Sequence, residues 1–424
     1  MALVSGLALR RAAIIAVGSE MLTPLRIDTN SLFITEQLNS LGIELAFKTI
    51  VGDDRVELAR AFKGALERVD LVILTGGLGP TDDDVTRNVV ADVLQRALHE
   101  EPEITEAIRQ RFARRGSAMP EINRRQAMVP DGAEVLPNAN GTAPGLWIEL
   151  PNAAVALLPG PPRELKPLMT QLAEGKLRAH SAQEILGRRV IRIAGRTESY
   201  TDQALQPLYA EWARAKVPVA ATILAVLGQI ELHLSARSSD RRVVEEALEQ
   251  ATSQVCTVLG KDVFSTDGRA LEEVVGSLLV ERGWRISVAE SCSGGLLSSR
   301  LTDVPGSSRY VDRGVVAYSN EAKTELLDVP ASLIATHGAV SEPVAVAMAT
   351  GIRTRSGSHV GIGVTGIAGP GGGTPEKPVG TVAVAVATLD DSQVRTARYM
   401  GDREHIKFQA SQAALDMVRR MLSP

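Results

Sequence analysis

Short apolar runs that stop at glycine- or proline-bearing turns, each followed by helically spaced residues, restrict this chain to an α/β fold. In the first 172 residues these runs are AAIIAVG from Ala12, IELAFKTIVG from Ile43, DLVILTGG from Asp70 and AVALL from Ala154. Between them, Thr29 to Leu41 carries Leu32, Phe33, Leu38 and Leu41 at helical spacing behind Asp28, a natural N-cap, and Asp54 opens the helical stretch VELARAFKGALERV. The order βαβαβ implies a parallel sheet with helices on both faces.

Two further pieces follow. RRVIRIAG and GQIELHLSAR alternate apolar and polar residues as half-buried strands do, and Arg241 to Leu259 reads as an amphipathic helix. No chemical motif lies there, which predicts a small α+β connecting or dimerising domain. From Thr266 onward, strands such as WRISVAES, GVVAYS, HVGIGVTG and VGTVAVAVAT alternate with helices, and His405 to Leu422 closes the chain as a helix. The predicted domains are 1–175, 176–264 and 265–424, and 424 residues suffice for a separate core in each.

Composition narrows the function. No apolar run approaches the roughly 20 residues of a membrane span, and the start does not resemble a secretion signal. Forty-six Lys and Arg against fifty Asp and Glu leave a net charge of −4, and aromatics are only 3%, a poor match to a nucleic-acid binder. The crowd of Arg109, Arg111, Arg114, Arg115, Arg124 and Arg125 is read as a solvated helix face. Two cysteines, Cys256 and Cys292, form no CxxC, and six histidines form no metal-binding spacing; a reducing cytoplasm suits them. No nucleic-acid partner and no membrane partner is expected, and a homodimer is.

The run from Thr75 to Thr86, TGGLGPTDDDVT, directly follows an apolar strand. Gly76, Gly77 and Gly79 let backbone N–H groups converge on an anion, with Thr81 beside them. Asp82, Asp83 and Asp84 are expected in the first turn of the next helix. There they either cap it or, beside a phosphate cradle, hold a Mg²⁺-bridged diphosphate. GSEML from Gly18 and LPGPPREL from Leu158 also follow apolar runs, so all three turns fall at the carboxyl edge of the sheet, where ligands bind. Together these segments resemble the molybdopterin-binding fold of the MoaB/MogA type, and more specifically the amino-terminal domain of the CinA family, over residues 12 to 172. The chain departs from the family's GSELLxG at GSEMLTPLR. The resemblance implies a three-layer α/β/α domain with divalent-metal-dependent hydrolysis of ADP-ribose. It makes Glu20, Asp28, Asp83 and Asp84 the residues to watch, with Asp83 and Asp84 toward the metal.

GIGVTG from Gly361 satisfies G-x-G-x-x-G, but its glycines lie inside a strand and IAGPGGGTPEKP follows, so no dinucleotide fold is expected. VAESCSGG from Val288 places Ser291 where a strand turns toward a helix expected from Gly294. The N–H groups of Cys292, Ser293 and Gly294 can point there at one oxyanion. Taken alone, a serine in that place is more often an N-cap. YSNEAK from Tyr318 adds a phenol and an amine. Lys323 falls in the first turn of a helix, where the dipole disfavours a cation, so it is either solvated or intended to be neutral. Thr365 and Gly366 open a glycine-proline loop, and Arg403 begins the last helix with a guanidinium suited to a monoester phosphate.

AESCSGG, VVAYSNEAK, GAVSE, VTGIAGPGGG and GDR resemble the carboxy-terminal CinA domain, the nicotinamide mononucleotide (NMN) amidohydrolase family, over residues 268 to 422. The resemblance implies Ser291 as nucleophile, Lys323 as base, and Tyr318, Thr365 and Arg403 completing a site that needs no cofactor. The resulting expectation is a cytoplasmic hydrolase of pyridine-nucleotide salvage with two activities, NMN deamidase and ADP-ribose pyrophosphatase. A non-catalytic pterin- or nucleotide-binding scaffold linked to competence or DNA damage is the competing reading. The complete Ser/Tyr/Lys/Thr/Arg set speaks against it, because binding alone does not require it.

Overall fold

A computed structural model describes residues 7–181 and 184–423. The chain forms two compact units, one of residues 1–187 with 237–244, the other of residues 188–236 with 245–424.

The first unit is built on a six-stranded sheet. Its strands are β1 (Arg11–Val17), β2 (Glu44–Val51), β3 (Leu71–Thr75), β6 (Ala133–Leu136), β7 (Gly145–Glu149) and β8 (Ala154–Leu158), in the order β2-β1-β3-β8-β7-β6; β4 (Leu98–Glu100) and β5 (Met128–Pro130) pair separately. β2, β1, β3 and β8 are parallel, while β7 and β6 run antiparallel at one edge. Every residue of β3 and β8 is buried, as a strand covered on both faces requires. Because side chains alternate between faces, each strand feeds two cores. Ile15, Val72, Leu74 and Leu157 pack with Leu58 and Phe62 of the helix Arg55–Leu66. Ile14, Leu71, Ile73 and Leu158 pack on the opposite side with Ile34 and Leu38 of the helix Thr29–Ser40 and with Leu165 and Leu168 of the helix Pro162–Leu172. This is the three-layer α/β/α arrangement that the sequence implied.

The second unit holds two sheets. One comprises β9 (Ile185–Ile193), β10 (Val219–Val226), β11 (Gln229–Ser238) and β12 (Val263–Ser265) in the order β10-β11-β9-β12. Ile230, Leu232, Leu234 and Ala236 point inward from β11, the alternation read from the sequence. The helix Arg241–Leu259 likewise buries Val244, Leu248, Ala251 and Val255 at helical spacing.

The other sheet comprises β13 (Ile286–Glu290), β14 (Val311–Val316), β15 (Val360–Gly366), β16 (Thr381–Ala387) and β17 (Ser392–Arg398) in the order β14-β13-β15-β16-β17. β14, β13 and β15 are parallel; β16 and β17 are antiparallel additions. On one face Val288, Ile362, Val364 and Val384 pack with the helices Leu271–Arg282 and Arg403–Leu422. On the other, Ala383, Ala385 and Ala387 leave a shallow surface for Ala345 and Ala349 of the helix Glu342–Ser356. Gly361 and Gly363 serve the same close packing: a Cβ at Gly363 would stand 2.2 Å from the carbonyl oxygen of Ala345, and one at Gly361 2.1 Å from that of Ala349. Gly361 and Gly363 therefore seat a helix on a strand, and the motif lies inside that strand as read from the sequence.

Among the boundaries that differ from the sequence reading, two move candidate site residues out of a helix. The helix after Ser291 starts at Leu296, not Gly294. The helix after the aspartate run starts at Thr86, so Asp82, Asp83 and Asp84 precede it and do not form its first turn. The arginine crowd lies on the surface around the helix Pro102–Ala113 and a 3-10 turn, Glu121–Ala127, where Arg124 pairs with Glu100 and Glu121. Among the described residues no helix is long and apolar enough to cross a membrane.

Candidate active sites

In the first unit, the turns after β1, β3 and β8 surround a cavity of about 640 Å³. Of the residues singled out in this half, Glu20, Asp28, Gly76, Gly77, Gly79, Asp83 and Asp84 line it, whereas Thr81 does not. Thr81 acts one step back: its N–H and hydroxyl donate to Asp84 Oδ2 at 2.9 and 2.6 Å. Hydrogen bonding from Thr81 also holds the exposed Asp83 carboxyl below the usual carboxylate range. Gly79 is required by this arrangement, since a Cβ there would lie 2.3 Å from Asp84 Oδ2. Asp28 is a cap as well as a lining residue, accepting from Ser31 N–H at 2.9 Å. Asp82 turns away to pair with Arg125 at 2.5 Å.

The sequence reading missed several contributors. Asp53 lines the cavity just beyond the end of β2 and is locked to Ser19 by a reciprocal pair of hydrogen bonds. Asn30 reaches across to the carbonyl of Gly160, and Glu164, nearly buried, accepts from Asn138 at 2.8 Å. Arg87 is buried behind the glycine turn and donates to the carbonyls of Leu78 and Arg125, both at 2.9 Å; burial pushes its guanidinium down to about 10. Asp53 was legible in principle, because it follows a strand at the same carboxyl edge. Arg87 was not, since nothing local separates it from a surface arginine.

No group of three or more His, Cys, Asp or Glu is placed to hold a metal among the described residues. Two adjacent carboxylates, Asp83 and Asp84, do match the donor set that Mg²⁺ takes when substrate phosphates and water complete its shell. The residues fit a cation that arrives with a diphosphate and do not form a ready-made cage.

In the second unit, β13, β14 and β15 bring their carboxyl ends together. Ser291 N–H donates to Val364 O at 2.9 Å, and Ala317 N–H donates to Glu290 O at 2.8 Å, so the residues following all three strands are adjacent. Ser291, only 8% exposed, is therefore pinned at the strand end; it is not the N-cap, a place taken by Gly295. Lys323, in the helix Asn320–Leu327 capped by Ser319, is 1% exposed, and of its two sequence readings the solvated one is overturned. Its Nζ donates to Ser291 Oγ at 3.2 Å and to the carbonyls of Ala317 and Tyr318, both at 3.1 Å. Desolvation by burial lowers the Lys323 pKa, against a smaller opposing pull from the Glu321 carboxylate.

The turn after Ser291 is organised by a residue the sequence reading passed over. Glu290, fully buried, accepts from the N–H groups of Gly295, Leu297 and Ser298 and from the Ser298 hydroxyl, at 2.6 to 3.0 Å. A carboxylate six residues before its first residue thus caps the helix Leu296–Asp303. The oxyanion donors are correspondingly fewer than expected. Gly294 N–H is spent on Ser291 O at 3.1 Å, whereas those of Cys292 and Ser293 find no backbone acceptor among the described residues. The Cys292 thiol is buried and pushed up to about 12, chiefly by desolvation, so it stays protonated.

The remaining predicted residues occupy the same edge in different ways. Thr365 is buried, its hydroxyl donating to Ala339 O at 2.8 Å, and Gly366 ends β15. Tyr318 is 60% exposed and its hydroxyl accepts from Arg403 Nη2 at 3.1 Å; among the described residues its carbonyl meets Lys323, but no hydrogen bond joins its hydroxyl to Ser291 or Lys323. Arg403 Nη1 donates to Gly369 O at 2.7 Å. A buried Ser–Lys pair next to two N–H groups with no backbone acceptor among the described residues is equipped for acyl transfer.

The fold and these two strand-edge sites define a chain that joins a molybdopterin-binding-type α/β domain to a domain of the CinA carboxy-terminal type. Residues 13–179 match the family described as a probable molybdopterin binding domain, and residues 268–422 match the CinA C-terminal domain. The chain belongs to the CinA family. A CinA-like protein of Koribacter versatilis is 47% identical over 97% of this chain and 99% of its own length. A CinA-like protein of Acidobacterium capsulatum is 46% identical over the same shares. Among solved structures, the competence/damage inducible protein CihA of Agrobacterium tumefaciens is 39% identical, covering 36% of this chain and 96% of its own, with a TM-score of 0.35.

Proposed function

We propose that the second unit hydrolyses the carboxamide of NMN to nicotinate mononucleotide and ammonia. The observation that carries this reading is the buried contact between Lys323 Nζ and Ser291 Oγ at 3.2 Å. In its neutral form Lys323 accepts the Ser291 hydroxyl proton as Oγ attacks the carboxamide carbon. The oxygen that gains the charge is met by the N–H groups of Cys292 and Ser293. The Lys323 ammonium then returns the proton to the nitrogen as the C–N bond breaks, and ammonia leaves. Water, deprotonated by the same amine, hydrolyses the acyl-serine and restores Ser291. Arg403 holds the Tyr318 hydroxyl and the Gly369 carbonyl, which orders the rim around this chemistry.

For the first unit the reading is hydrolysis of the diphosphate of ADP-ribose. The support is a cavity in which a glycine turn faces the carboxylates of Glu20, Asp28, Asp83 and Asp84. A divalent cation bound there by Asp83 and Asp84 would offset phosphate charge. Gly76 N–H is held by Leu158 O at 3.0 Å, so Gly77 and Gly79 are the glycines left to present N–H groups to the phosphates, and Arg87 keeps the turn in shape through the Leu78 carbonyl.

Both readings are tested by incubating the full chain with NMN and with ADP-ribose and measuring ammonia and AMP. Ser291→Ala should abolish ammonia release and leave AMP formation intact. A wild-type chain that releases no ammonia from NMN removes the amidase reading.

A further inference from the structure

The monoester phosphate of the substrate needs a cation, and Arg403, which the sequence offers for it, is already engaged. One of its terminal nitrogens donates to Gly369 O and the other to Tyr318 Oη. One turn further along the same helix stands Lys407, half-buried. It makes no hydrogen bond or ion pair among the described residues, although its surroundings hold it beside the nucleophile turn. A Cβ built on Gly294 would lie 3.6 Å from Lys407 Nζ and 3.9 Å from its Cε. Gly294 is the residue whose N–H closes back onto Ser291 O, and such an i to i+3 turn keeps the two Cα atoms within about 7 Å.

We propose that Lys407 binds the 5′-phosphate of the substrate and thereby selects nucleotides over nucleosides; this rests on the amidase reading of the same site. Three observations converge. The ammonium lies over the turn that carries Ser291. It has no acidic partner among the described residues, so a phosphate need not displace a carboxylate to reach it. Gly294 presents no side chain between the ammonium and the turn. The Ser293 hydroxyl on that turn is buried with no hydrogen-bond partner, a further donor for an oxyanionic ligand. Lysine, a compact point charge, suits a terminal phosphate that swings as the ring is positioned. Arg403 then has the different task of ordering Tyr318 and the glycine-proline loop.

The test measures binding to the full-length Ser291→Ala chain, in which turnover is blocked, by calorimetry with NMN and with nicotinamide riboside, the same molecule without its phosphate. Adding Lys407→Met should weaken NMN by about tenfold or more, the scale of one charge-assisted phosphate contact, and should leave riboside affinity in place; Lys407→Arg should restore most of the NMN affinity. Circular dichroism on each variant separates misfolding from lost binding. Unchanged NMN affinity, an equal loss for the riboside, or no NMN binding to the Ser291→Ala chain at all overturns the inference. Phosphate-dependent binding through Lys407 in a chain that releases no ammonia would keep this inference and remove the amidase reading, so the two fail separately.

Discussion

Lys323 Nζ and Ser291 Oγ lie 3.2 Å apart although 32 positions separate them in the chain, and the lysine is 1% exposed. Three main-chain carbonyls, those of Ala317, Tyr318 and Ser319, surround the same nitrogen. They fix where the amine points, while burial makes its charge costly. The pair is oriented and biased toward the neutral base within one local arrangement.

Replacing Lys323 distinguishes a base from a charge. Lys323→Arg should lose roughly 10² to 10⁴ in kcat for ammonia release, nearly as much as Lys323→Met. A guanidinium does not deprotonate in a protein and cannot take the serine proton. An arginine variant with most of its activity would show that the residue serves only as a cation.

The pH dependence follows from the same burial. The Lys323 pKa is lowered, so deamidation should rise with pH along a limb whose midpoint lies below the ordinary lysine range. For stability the sign runs the same way. Between the lowered native value and the ordinary unfolded value, the unfolded chain binds more protons, so this residue's contribution to stability improves as pH rises. Lys323→Met should therefore raise the urea midpoint most near neutral pH, with the gain shrinking toward alkaline pH. A gain that grows with pH would contradict the assignment.

Metal removal should separate the two activities. A chelator should abolish ADP-ribose cleavage, where Asp83 and Asp84 need a cation to face phosphate, and spare NMN deamidation. Asp84→Asn should reproduce the chelator's effect without changing ammonia release. Loss of deamidation in chelator would sink the Ser–Lys mechanism.

Glu290→Gln probes the cap beneath the nucleophile. The amide keeps the size but cannot accept from all four donors that the carboxylate satisfies. A loss of about 2–3 kcal/mol in unfolding free energy is expected, together with a fall in kcat as the Ser291 turn loosens. If kcat is untouched while stability falls, the carboxylate supports the helix alone.

Gly363→Ala tests the strand–helix contact. Its Cβ would stand 2.2 Å from the Ala345 carbonyl oxygen, so the helix Glu342–Ser356 must shift, at a cost of about 3 kcal/mol. Equilibrium denaturation of the two proteins gives the number directly.

Local pattern determined a good deal here. Strands with alternating or continuous burial, the helix Arg241–Leu259, and the turns carrying Ser291 and the aspartate run all depend on residues within a few positions of one another, and their spacing is readable as text. Placing those turns at one sheet edge needed only the rule that parallel strands present their carboxyl ends together. Lys323 marks where that reading stops. Whether an amine in a first helical turn is solvated or buried depends on the sheet it packs against, and it is the pairing of β14 with β13 that delivers residues 317–323 to Ser291. Asp53 and Glu164 in the cavity, and Lys407 over Gly294, share this character. Each meets its neighbours across elements far apart in the chain, and desolvation and unpaired charge exist only once those elements have closed around them. The chemistry-bearing residue types were legible in the sequence; their protonation, partners and division of labour were decided by tertiary contact.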